Sequence, residues 1–416
     1  MSPYNANKLI LLGGAGISLA ANWLYTLALM SVFIERYDPV RVAILMAVAT
    51  SPAVLLGPII AGLIDRADKK SLLFLLNIIQ ACVVLLLCLV QGLVTTYAVT
   101  FVLASLNVFV VPLIKAVMPT TTAKENLANL NSMFGMVYSV VGYVAAPMIS
   151  ALLISVLGAE MSFMVGSGLF FILSIMILGV SIPKKQEIRR TDETKKMGTP
   201  WEVRVILLSS KEVLRVIATN KILLSTFFAY GSASLALGVI HSVDISFFTQ
   251  ILGVKSGNYG VFVSISGIGV FLGSFFFGRR YWKWSPFQTF QSGLLFFSCA
   301  TIVFCLNTNV CVAGMLIFMA GAGEGLFEVS TITVIHREAR PDMMAGVFSL
   351  LESMAKGCEL VAMVFSALVL PLIGVKYTLL AAGVIPLIFA AALLRNRYSK
   401  KSRSVQIRLN PPARSS

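Results

Sequence analysis

The sequence predicts an all-α membrane protein in which about twelve transmembrane helices form two six-helix bundles, with both termini in the cytoplasm. Three observations carry that expectation. Apolar residues make up 57% of the 416-residue chain and charged ones only 12%, at a mean hydropathy of +0.88, so polar surface is too scarce to cover the hydrocarbon in water. The apolar residues fall in runs long enough to cross a bilayer. The basic residues between those runs collect on one side.

In order, the runs lie near 9–33, 42–64, 71–93, 97–118, 130–157, 161–182, 221–245, 259–278, 286–306, 310–335, 344–373 and 376–394. Backbone groups find no water in hydrocarbon, so each run must be a helix. The first follows Lys8 and passes the small residues Ser18-Leu19-Ala20, as a secretory leader does, but it is about 25 residues long and suits a span rather than a leader's apolar region.

With the N-terminus inside, Arg66, Lys69, Lys70, Lys124, the basic cluster of 184–215, Arg279, Arg280, Lys283, Arg337, Arg340 and the tail from Arg395 to Arg414 share one side. The other side receives Arg36, Arg41, Lys255 and Lys376. This asymmetry is the positive-inside pattern and predicts a multi-pass protein of the inner (plasma) membrane. The net charge of +15 therefore reads as topology, and the basic loops lack the interleaved aromatics of a nucleic-acid surface. Six cysteines (Cys82, Cys88, Cys299, Cys305, Cys311, Cys358) lie inside apolar runs at spacings that match no metal site, and read as inert membrane-embedded thiols.

The longest polar stretch divides the chain into an N-terminal bundle (1–183), a linker (184–220), a C-terminal bundle (221–395) and a basic cytoplasmic tail (396–416). Within the linker, Thr199 and Glu202 form a capping box around Pro200, and Val203, Ile206, Leu207, Val213, Leu214 and Ile217 follow on one face. That pattern fits an amphipathic helix on the cytoplasmic membrane surface, or an extension of the seventh span. Gly135-Met136-Val137-Tyr138-Ser139 is echoed by Gly346-Val347-Phe348-Ser349, as two parallel six-helix repeats would produce.

The loop Gly62-Leu63-Ile64-Asp65-Arg66-Ala67-Asp68-Lys69-Lys70 resembles the cytoplasmic signature between the second and third helices of the major facilitator superfamily. The segment from Pro119 through Glu125-Asn126-Leu127 to Gly142 and Pro147, with its echo Arg340-Pro341-Asp342 to Ser349, is similar to the macrolide-efflux and enterobactin-exporter branch. The resemblance implies the major facilitator fold, a cytoplasmic gate at Gly62, Asp65 and Arg66 with Lys69 and Lys70 beside it, and an antiporter-like element at Gly142 and Pro147. Two departures stand out. Ser150 replaces a usual glycine, and the helix-4 arginine of proton-coupled relatives is missing from Val102-Leu103-Ala104-Ser105. The acidic residue that the branch often carries near Asn22 is also missing, which implies that charge recognition has moved to the C-terminal half.

An ionised side chain at mid-bilayer costs roughly 2.5–3.5 kcal/mol, so buried charges are functional candidates by default. The tenth run holds Glu324 and Glu328, and the eleventh holds Glu352, Lys356 and Glu359, which fall within about 60° of one another on a helix. Four carboxyls share one ammonium. Like charge and desolvation favour the neutral acid, so one or two should carry a proton near neutral pH. Glu328 and Glu359 are the expected proton carriers and Lys356 the fixed counter-charge; a static salt-bridge network is the alternative.

From the first half, Asn22, Trp23, Tyr25, Asn107 and Tyr138 are the expected cavity residues. His241 and Asp244, three apart near the outer end of the seventh run, are a candidate outer gate or a solvated ion pair. No nucleophile–base pair, phosphate loop or metal set is present, which argues against an enzyme and for a protein without cofactor. The expected partners are a small-molecule substrate, protons and the lipid bilayer, with the chain acting as a monomer. The reading is proton-driven export of a small amphipathic molecule such as a drug, antibiotic or siderophore. Uptake of a polar solute or lysophospholipid, and a non-transporting sensor or scaffold, are the rivals.

Overall fold

The computed structural model describes residues 3–90, 92–121, 124–180, 213–280, 285–340 and 343–409, and every element among them is helical. In chain order these are α1 (Pro3–Arg36), α2 (Pro39–Arg66), α3 (Lys69–Leu86), α4 (Leu93–Thr121), α5 (Lys124–Val137), a π-helical turn (Tyr138–Ala145) and α6 (Ala146–Leu178). After the linker come α7 (Lys221–Gln250), a 3-10 turn (Ser256–Asn258), α8 (Tyr259–Arg280), α9 (Pro286–Leu306), α10 (Val310–Glu338) and α11 (Met344–Leu409). The end at which α1 begins is called proximal here, and the opposite end distal.

Ten of the helical stretches are long and apolar enough to cross a membrane. Two are far too long for one crossing: 50 residues over Asn129–Leu178 and 47 over Gly346–Ala392. At 1.5 Å per residue each would extend about 70 Å, against a hydrocarbon core of about 30 Å. Both are interrupted by a glycine in nearly the same conformation, Gly158 at φ 78° and ψ 175° and Gly374 at φ 77° and ψ 171°. Only glycine occupies this region without strain. The matching breaks stand in corresponding places of the two halves and extend the short sequence echo into backbone geometry.

Local chemistry sets the helix ends. Asp38 caps α2, accepting from the Arg41 amide at 3.0 Å, with Pro39 at the first helical position; Asn309 caps α10. Asp68 caps α3, and the hydroxyl and amide of Ser71 hold its carboxyl below the ordinary carboxylate range. Lys70 donates to the carbonyls of Leu178 and Val180 at 2.8 and 2.7 Å, satisfying orphan acceptors where α6 ends. Many large apolar side chains stay exposed on the outer surface, Leu372 at 80% and Val156 at 72% among them, as a lipid solvent requires.

The buried core is continuous at one end and divided at the other. Leu24, Phe33, Leu45 and Ile154 of the first bundle share one apolar cluster with Val243, Phe248, Leu370 and Leu379 of the second, toward the distal end. At the proximal end, Ile64, Leu113, Leu130 and Leu173 form a cluster within the first bundle, and Ile217, Leu223, Ile335 and Leu351 form another within the second. The bundles are therefore packed together distally and apart proximally.

Residues 213–219 form a short helix separated from α7 by Asn220, which caps α7 through the amides of Ile222 and Leu223. Its Val213 and Ile217 are buried against Val347 and Leu351, so this segment docks on the second bundle. The expected capping box at Thr199 and Glu202 lies outside the described residues.

Candidate functional site

α10 and α11 bring the second-half charges together. Lys356 donates to both oxygens of Glu359 at 2.8 and 3.0 Å; Glu359 is 7% exposed, and the Lys356 side chain keeps 45% of its surface. Glu324 and Glu328 are half-buried and Glu352 is exposed, and among the described residues none of the three pairs with a basic side chain. Where the sequence predicts four carboxyls sharing one ammonium, the described residues show a bidentate ion pair and three carboxyls without a basic partner. Helices α7 and α11 approach closely here: a methyl group at Gly238 would collide with the Glu359 carbonyl and lie 2.8 Å from its Cα. One turn along α7 from Gly238, His241 comes within electrostatic reach of Glu359 and Lys356.

In the first bundle, Gln80 of α3 donates to Asn107 of α4 at 2.9 Å, and the Asn107 amide donates to Asn22 and, at 2.7 Å, to the Tyr25 hydroxyl of α1. Three helices are tied by amides within their apolar stretches, where an unpaired polar group is costly. Beside this network lies a cavity of about 300 Å³ lined by Ser18, Asn22, Trp23, Asn107, Phe134 and Tyr138, among others. Four of the five expected cavity residues line it, and Tyr25 stands behind as the buried hydrogen-bond partner of Asn107.

The two halves face each other through tyrosines. Tyr138 lies within electrostatic reach of Lys356 and Glu352, and Tyr143 within reach of Glu328, Glu324 and Glu352. Their rings meet edge to face at 6.3 Å, and Tyr230 of α7 faces the same carboxyls from the second bundle. Both first-half tyrosines belong to the π-helical turn, a geometry frequent at functional sites. That turn leads into Pro147, which cannot donate to the Tyr143 carbonyl one turn earlier. The carbonyl is met by Gly267 of α8, where any side chain would collide with it. Gly142 is buried against Leu19 of α1. At this element α8 approaches the backbone closely, through Gly267 against the Tyr143 carbonyl.

Asp244 is 5% exposed and accepts from Tyr259 at 3.1 Å rather than pairing with His241. The side chains of Gly62, Asp65 and Arg66 lie outside the described residues; Lys69 opens α3 and Lys70 holds the end of α6. Sequence reasoning missed Gln80, Tyr143 and Tyr230. Gln80 had a legible signal, a polar amide one turn after Asn77 inside an apolar run, whereas Tyr143 and Tyr230 resemble ordinary interface aromatics.

Long apolar helices in two similar halves, with charged side chains gathered between them, fit the class of membrane transport proteins. The chain belongs to the Major Facilitator Superfamily, whose family model matches residues 11–355. It is 22% identical over 407 residues to the uncharacterized MFS-type transporter YfiS of Bacillus subtilis (strain 168), covering 94% of each chain. Among solved structures it resembles a bacterial homolog of the human lysosomal transporter Spinster in an inward-facing, unoccupied conformation, with a TM-score of 0.73, 14% identity, and 94% and 96% of the two chains covered. It also resembles the nucleoside transporter NupG, with a TM-score of 0.70, 16% identity, and 95% and 99% covered. A POT family transporter in complex with a thioalcohol-conjugated peptide gives a TM-score of 0.70 at 12% identity, with 94% and 96% covered. The likenesses to solved structures show the fold, and the family match supports a secondary transporter.

Proposed function

We propose that this protein is a proton-coupled exporter of a small amphipathic, cationic molecule, working as a monomer in the inner membrane. Counting the breaks at Gly158 and Gly374 as turns between spans gives twelve crossings, with both termini and the proximal end in the cytoplasm. The proximal separation of the bundles then corresponds to an inward-open state, and Gly62, Asp65 and Arg66 serve as the cytoplasmic gate.

One observation carries the reading: among the described residues, Glu324, Glu328 and Glu352 stand without a basic partner near the Lys356–Glu359 ion pair, with Tyr138, Tyr143 and Tyr230 within electrostatic reach of these charges. Carboxyls crowded in low dielectric hold a proton until a cation displaces it, and tyrosine faces favour an organic cation. Substrate entering from the cytoplasm replaces the proton, and outward opening lets a proton from outside displace the substrate. Glu328 and Glu359 carry the proton, and Lys356 is the fixed counter-charge beside Glu359.

The amide network of Gln80, Asn107 and Asn22 favours a second reading, in which a neutral polar solute is taken up. Proteoliposomes loaded with a pH-sensitive dye separate the two. Export by antiport predicts that adding a lipophilic amine moves protons in the opposite direction to the amine. Protons moving with a neutral solute establish the uptake reading, and flux indifferent to the pH gradient removes proton coupling altogether.

A further inference from the structure

At the distal end the two bundles are joined by a small polar cluster. Ser31 of α1 is 4% exposed, and its hydroxyl lies 2.7 Å from Ser256 Oγ and 3.3 Å from a carboxylate oxygen of Glu35, one turn further along α1. Ser256 in turn donates to that same Glu35 oxygen. Ser256 opens the 3-10 turn that leads into α8, so these bonds connect the first helix of one bundle to the α7–α8 connection of the other. The turn is itself held in place: three residues on, Tyr259 is 6% exposed and anchors on Asp244 within the second bundle. Beside the cluster is a cavity of about 640 Å³ whose lining includes Glu35, Thr249, Lys255 and Asn258.

The chemistry of this cluster differs from that of the closure beneath it. Below it, the bundles meet through apolar side chains and through Gly260 and Gly267 of α8 packed on the backbone of Pro147 and Tyr143. Such contacts are tight in one arrangement and have no directional partner in another. The Glu35–Ser256 bond lies at the mouth, where Glu35 is exposed and water replaces either partner when the bundles separate. A charge-assisted bond that exchanges for hydration has a modest net worth, whereas a buried pair would be too costly to open on every cycle.

We propose that Ser31, Glu35 and Ser256 form the distal latch of the transport cycle, holding the bundles closed on that side until outward opening breaks the Ser256 bonds. Asp244 and Tyr259 position Ser256 for this role. The inference needs only that the bundles move, and stands whether or not transport is coupled to protons.

The test reads conformation rather than flux. Spin-labelled noncanonical residues at Thr95 and Thr308, on the distal ends of the two bundles, leave the native cysteines in place and report the separation by electron–electron resonance in lipid nanodiscs. Ser256→Ala is expected to raise the ratio of distally open to closed molecules about tenfold, and Ser256→Thr, which keeps the hydroxyl, to stay within about twofold of the native ratio. Glu35→Gln, which keeps an acceptor but loses the charge, should fall between them. Unchanged distance distributions in both Ser256→Ala and Glu35→Gln overturn the latch, as does a Ser256→Thr shift equal to that of Ser256→Ala.

Discussion

At the residue scale, the Lys356–Glu359 pair is the point where stability and function meet. Removing the ammonium leaves a carboxyl that is 7% exposed without its partner, whereas neutralising both members removes the penalty along with the attraction. Lys356→Met should therefore lower unfolding stability by about 1–3 kcal/mol, and Lys356→Met with Glu359→Gln should recover most of it. Thermal unfolding in detergent checks both, and equal losses in the single and double variants would show that the pair is not the source.

Asp68 gives a second prediction, outside the membrane. Its carboxyl is held below the ordinary range by Ser71, so its contribution to the start of α3 is present above the unfolded carboxylate value and is lost as pH falls through the lowered folded value. Asp68→Ala should loosen the first turn of α3 by about 1 kcal/mol, read as faster amide exchange from Lys70 to Leu73 at neutral pH. The same exchange should appear in the native protein only in strong acid. The acidic cluster itself was legible in the sequence, because a charge inside an apolar run is conspicuous. Which carboxyl Lys356 chooses was not, since Glu352 and Glu359 are both one turn away and only side-chain geometry separates them.

At the scale of elements, the helices were readable from apolar runs, but their ends were not. α1 continues to Arg36 and α2 to Arg66 because a helix persists into the headgroup zone, where polar side chains extend it and capping residues stop it. The turns at Gly158 and Gly374 fall in the short gaps between runs 130–157 and 161–182 and between 344–373 and 376–394, where Glu160 and Lys376 interrupt the apolar sequence. Their positive φ makes them specific to glycine. Gly158→Ala or Gly374→Ala should each cost about 1–3 kcal/mol by forcing a Cβ into a conformation that side chains rarely adopt. Gly168→Ala, in a helical position with open space, should cost nothing measurable on the same thermal scale. A tolerated Gly374→Ala would mean that the chain does not turn there.

The π-helical turn at Tyr138–Ala145 was illegible for a different reason. It depends on Pro147 withholding one donor and on α8 offering Gly267 at the same level, two features about 120 residues apart that no local pattern connects. It holds Tyr138 and Tyr143, both within electrostatic reach of the charged groups of the other bundle.

For the whole molecule, packing is asymmetric along the membrane normal. One core spans both bundles distally and two separate cores stabilise them proximally, so the halves can part at the proximal end without losing their own interiors. Two-fold repetition, visible in a short sequence echo and in two glycine breaks, supplies the rigid bodies. In the proposed cycle the charged groups between them change the side to which they are exposed.

The account's central claim is that a cationic substrate and a proton compete for the carboxyls of α10 and α11, and proton release on binding is its most direct measure. Purified protein in weakly buffered detergent, with a pH indicator, should release protons when a transported amine is added, and Glu328→Gln and Glu359→Gln together should abolish the release while leaving the protein folded. Binding of the amine to the native protein without proton release at any pH between 6 and 8 would contradict it.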